Sequence, residues 1–157
     1  MRFTSFIAYG LGFLFIYASM FIAEGPHLNL WNFWDLSSAI TILAGLSASL
    51  INFKFSEIFN AIFDSITSKN NEKVQERLDL DLVVIKTMSS YVMAASLITF
   101  FLALILILGN AEDTKRLGVM IAVSILILMY GLFFKYIIFL PMTIALEKKK
   151  AMVLTGV

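Results

Sequence analysis

Lys135 is the one charge in an uncharged run from Leu117 to Leu146, inside the stretch "LMYGLFFKYIIFLP" at 128–141. What it can do depends on depth. A lysine at a bilayer's centre costs about 2.5–3.5 kcal/mol or more, but near an edge it snorkels its ammonium to the headgroups. The 18 steps from Leu117 to Lys135 cover ~27 Å of helix, close to the far edge of a ~30 Å core. The reading is an anchor at the membrane surface; its rival is a cationic collar that repels protons and sodium ions. A proton relay is disfavoured, because a solvated lysine keeps its proton at neutral pH.

Hydroxyls are the next candidates. Ser89, Ser96 and Thr99 sit at offsets 0, 7 and 10, an arc of ~80° on a helix. They read either as a polar lining or as groups hydrogen-bonding between helices, worth roughly 0.6–2 kcal/mol each. Glu24, His27 and Asp35 lack the convergent spacing of a metal or proton site. The chain has no cysteine, so it has no disulfide and no thiolate site. No nucleophile motif, phosphate loop or pair of intramembrane acids marks an enzyme, and no cofactor is expected. The uncharged runs contain no Asp or Glu, whereas a proton wire uses buried carboxylates. An ion path would need a carboxylate from elsewhere.

The elements that must position these residues are helices. Of 157 residues, 60% are hydrophobic and only 15% charged, against about half and a quarter in soluble domains. The net charge of +1 excludes a strongly basic nucleic-acid surface. The expected fold is all-α: one membrane domain over 1–157 with four spans, about 3–23, 36–53, 87–111 and 117–141. The first run follows Arg2 but is longer than a signal peptide's apolar region. Asp35 is placed to cap the second span, and Trp31 and Trp34 suit an interfacial belt. Small residues at 44, 45, 47, 48 and 49 form small-xxx-small pairs that let helices approach closely; Gly10 and Gly12 read alike.

Arg2, Lys54, Lys86 and Lys148-Lys149-Lys150 flank span ends on one face. The positive-inside rule puts that face, both termini and 54–86 in the cytoplasm. The 54–86 segment reads as a helical hairpin. Phe55, Ile58, Phe59, Ile62, Phe63 and Ile66 make one apolar face, "SKNNEK" a turn, and Val74, Leu78, Leu82 and Ile85 a second stripe running into the third span. That arm and span together predict one helix of about 40 residues. The first arm's apolar face suits the inner leaflet or a protein neighbour. Glu57 and Asp64, in place of a Lys/Arg stripe, favour packing, with 136–146 as partner.

Two spans, a cytoplasmic segment, two spans and a basic end form a layout that resembles the MotA/TolQ/ExbB proton-channel family, MotA most closely. One match is "FWDLSSAITILAGLSASLINFKFSEI" (33–58), with Asp35, Ser38 and the small centre at Gly45. The other is "LGNAEDTKRLGVMIAVSILILMYGLFFKYIIFLP" (108–141), with Gly118, Ala122, Tyr130, Gly131 and Pro141 at matching places. The resemblance implies a stator subunit in a bacterial inner membrane. A homo-oligomeric ring, a pentamer, would surround the single span of a MotB-, ExbD- or TolR-like partner whose Asp carries the ion. Lipid would surround the ring, and nucleic acid has no place in it. The third and fourth spans would line the interior, with Ser89, Ser96, Thr99, Ala103, Ser124, Leu128, Gly131 and Lys135 as lining candidates.

Three departures stand out. The 54–86 hairpin replaces a much larger cytoplasmic domain, so a rotor-binding surface is not expected. Met93 stands for a proline, and Thr99-Phe100 for a Gly-Thr pair. Ile127-Leu128 replaces a threonine pair, which removes hydroxyls able to coordinate sodium. The alternative is a non-conducting membrane scaffold descended from such a stator.

Overall fold

The computed structural model describes residues 35–67, 75–109 and 114–155. They are helical, with no strand among them. The expected first span, its glycines, Trp31, Trp34, Val74 and the 68–73 turn lie outside the described residues.

Helix α1, Leu36–Ala48, starts where Asp35 Oδ2 accepts from both the amide and the hydroxyl of Ser38, each at 2.7 Å. This N-cap satisfies a donor that would otherwise be orphaned at the helix start. Ser38, Thr41, Ile42 and Gly45 are buried, a stripe at i, i+3, i+4 and i+7. A 3-10 turn, Ser49–Ile51, ends the helix. The axis then bends by 113° into α2, Phe55–Ile66. Glu57 reaches back to accept from the Lys54 amide at 2.9 Å and fixes the start of α2.

Helix α3, Gln75–Gly109, is unbroken for 35 residues, about 52 Å. The hairpin's second arm and the third span are therefore one helix. Helix α4, Thr114–Phe133, continues through a π-helical segment, Phe134–Phe139, into α5, Leu140–Thr155. Pro141 explains the wide turn: it has no N–H, and its ring crowds the carbonyl four residues back. The Leu140 amide instead bonds the Lys135 carbonyl, five residues back. The helix so relieved continues to Thr155, beyond the expected span end at 141.

Two helical segments, Glu76–Gly109 and Leu117–Leu154, are long and apolar enough to cross a membrane; the bent pair α1–α2 is a third candidate. The core follows one side of α3, where Leu78, Leu82, Ile85, Met88 and Val92 meet Ile42, Ile58, Ala61, Phe139 and Leu146.

Candidate functional site: the seams of α3 and the level of Lys135

Two glycines set how closely the helices meet. A Cβ on Gly45 would lie 2.7 Å from Val92 Cα and 3.0 Å from the Tyr91 carbonyl oxygen, so α1 rests on the backbone of α3. Asn52 Nδ2 donates to Tyr91 Oη at 2.6 Å beside this contact. A Cβ on Gly131 would come within 2.5 Å of both Cβ and Oγ of Ser96. The α3–α4 seam thus closes over a serine side chain. Of the small residues in α1, Gly45 and Ser49 face inward, Ala48 is half-buried, and Ala44 and Ser47 are exposed. The 45–49 pair is the one the packing uses.

The lining candidates divide along this seam. Ser96 and Ser124 are buried, as is Gly131. Their hydroxyls turn back onto their own helices, Ser96 to the Val92 carbonyl at 2.9 Å and Ser124 to that of Met120 at 2.8 Å. Gly131 and Ser96 lie inside the chain's own α3–α4 contact, where a crossing this tight admits only small side chains; Ser124 is buried as well. Ser89, Thr99, Ala103, Leu128 and Lys135 are half-buried and keep an open side. Ile127 is buried, and Phe100 stacks edge-on against Phe101 at 5.5 Å. Tyr130 packs at the core's margin and Pro141 is buried. Gly118 is exposed, and a Cβ there would meet nothing within 4 Å; no packing reason for a glycine is present.

The seam also gives Lys135 a level. Since α3 and α4 run antiparallel and Gly131 faces Ser96, a residue one turn farther along α4 faces the neighbourhood of Val92, where Gly45 rests. Lys135 is that residue. Val92 lies six residues above Lys86 on α3, about 9 Å, and Lys135 twelve above Glu147 on its own helix, about 18 Å. Lys86 and Glu147 pair at 2.8 Å and mark the charged end. The Lys135 ammonium lies 5.4 Å from the Tyr136 ring centroid, and the carbonyl of Lys135 is the acceptor of the π-turn bond. Among the described residues no ion pair involves it.

A second cluster, at the charged end, was not legible as a site. Asp64 and Asp81 are buried. The Lys149 ammonium donates to the carbonyls of Asp64 and Thr67 and so caps the C-terminus of α2, the end where a cation suits the helix dipole. Burial pushes the Lys149 pKa below its usual value, and the nearby Asp81 carboxylate partly offsets this. Arg77 Nε stands 3.8 Å from Asp64 Oδ2, and Lys150 meets Asp79 at 2.5 Å. The sequence read Asp64 as part of the polar face of α2. The structure turns it inward because α2 seats on Ala61, fully buried, and Asp64 lies three residues later. The signal was there: Ala61 is the smallest residue among bulky ones, and the 148–150 run supplies cations.

The partner expected for α2, 136–146, is shared. Helix α2 packs first against α3 and next against α5. No group of His, Asp or Glu side chains among the described residues converges to hold a metal. No protein-family model matches the chain, and no curated protein matches it.

Proposed function

We propose that this chain is a MotA-like stator subunit of an ion-driven membrane motor. Four helices cross a bacterial inner membrane with both termini cytoplasmic. Copies close into a ring, a pentamer, around the single span of a MotB-, ExbD- or TolR-like partner. One observation carries the reading: the apolar parts of α1, α3 and α4–α5 contain no carboxylate, so an ion path needs another chain's acid at the surface these helices leave open. The tight crossings at Gly45 and Gly131 support it, since both are positions on which the sequence resemblance rests. The half-exposed set Ser89, Thr99, Ala103, Leu128 and Lys135 is the face offered to the partner. The test is purification with candidate single-span partners, followed by proton flux in vesicles. An oligomer whose flux disappears when the partner's Asp is changed to Asn supports the motor; a monomer with every partner refutes it.

The second reading is a non-conducting scaffold of the same ancestry. Lys135, level with the Gly45 contact, favours it, because a ring of such cations would repel ions passing it. Buried Ile127 and bulky Phe100 add to it. An oligomer that assembles with its partner and conducts nothing selects the scaffold. Lys135→Ala raises flux if the lysine is a collar and leaves flux unchanged if it is an anchor.

A further inference from the structure

Helix α2 has a face that its protein neighbours do not use. Ile58, Ala61, Asp64 and Ser65 are buried against α3 and α5. Phe55, Phe59, Phe63 and Ile66 are left 73%, 60%, 57% and 58% exposed. On a helical wheel these four fall within an arc of about 80°, Ser56 and Asn60 come next, and the buried four complete the circle. Ser56 and Asn60 are exposed too. One helix therefore has three sides: protein, water-compatible polar groups, and bare aromatics.

The direction of α2 says what the aromatics meet. Its axis is bent by 113° from α1, about 23° past a right angle. A 12-residue helix is about 18 Å long, so from α1 to its end it drifts only about 7 Å in depth if α1 stands along the membrane normal. It packs on α3 at the level of Leu78, Leu82 and Ile85, just before the uncharged run that begins at Thr87. Lys54 at its start is an exposed cation, which anionic headgroups attract; Lys86, next to Ile85 on α3, carries its charge paired to Glu147. A second copy of the chain would cover the aromatics equally well, but it would not account for a helix turned nearly perpendicular to α1 with a cation at its start.

We infer that α2 is an interfacial helix whose Phe55, Phe59, Phe63 and Ile66 enter the acyl chains of the leaflet at the charged end. The inference rests on α3 and α4–α5 crossing a membrane and needs neither the ring nor the partner. Because the chain has no cysteine, single-cysteine variants of the full chain carry one spin label each. The variants are Phe59→Cys, Phe63→Cys, Ser56→Cys and Asn60→Cys, in vesicles of phosphatidylethanolamine and phosphatidylglycerol. Labels at 59 and 63 are expected to collide with oxygen several-fold more than with a water-soluble nickel chelate, and labels at 56 and 60 the reverse. Preferential collision with the chelate at 59 and 63 overturns the inference. So does shielding from both reagents with spin–spin broadening, which assigns the face to a second copy. All four positions are exposed, and each variant's helix content, by circular dichroism, is required to match the parent's.

Discussion

Helix α3 is held in two ways along its length. In its apolar part, α1 and α4 approach until glycine is what fits, and the buried serine hydroxyls Ser96 and Ser124 stay on their own helices. At its charged end, α2 and α5 are held by Asp64, Asp81, Arg77, Lys149 and a block of buried Leu and Ile. The difference comes from the solvent. Lipid tails are as apolar as Leu, so burying Leu gains little there and close van der Waals contact must bind helices. Where water is present, apolar burial drives association and ionic groups decide register and angle. One helix crossing both environments changes its means of attachment partway along.

Breaking the apolar contact at its tightest point has the largest effect. Gly45→Val drives a branched side chain into the α3 backbone, which cannot rotate away as a side chain can. The expected loss is about 3 kcal/mol or more, read as a fall in the unfolding midpoint in detergent and a wider α1–α3 distance by double spin labelling. The charged end yields next. Lys149→Met removes the cap on α2, and hydrogen bonds from a charged donor are worth about 1.5–3 kcal/mol. It has a pH signature. The folded-state pKa of Lys149 lies below its usual value, so between the two values the unfolded chain binds more protons. Stability of the parent protein should then rise with pH through that alkaline window, and the Lys149→Met variant should lack the rise. Gly131→Ala comes last, about 1–3 kcal/mol: its single methyl meets the Ser96 hydroxyl, which can rotate, and the Ser96 Cβ, which the backbone fixes, so the seam must open slightly. Adding Ser96→Gly should recover part of that loss as a coupling of about 1 kcal/mol in a double-mutant cycle; simple additivity would mean the seam is not closed by this pair.

The helices were legible because their signals are local. Asp35 could be recognised as a cap from Ser38 three residues on, and the 3.6-residue stripe of Leu78, Leu82 and Ile85 identifies an arm running into an apolar helix. Pro141 marked the expected end of the last span, and the helix itself runs on past it. A proline ends a helix unless the turn before it widens, and the segment beyond it must pack well enough to offset that distortion. Leu146, fully buried, supplies the packing. Helix α2 was half legible. Its apolar residues cover too wide an arc for a wheel to say which part meets protein, and Ala61 decided it.

By itself, the sequence determined that this is a helical chain with long uncharged segments, one cation inside them, no acid among them and basic residues gathered at one end. Those are properties of composition and spacing, which each segment carries regardless of its neighbours. The tertiary structure alone decided which small residues are contacts, which part of α3 Lys135 stands level with and that Asp64 turns inward. Each of these depends on the register between helices distant in sequence, and register is set by how side chains interlock across a seam.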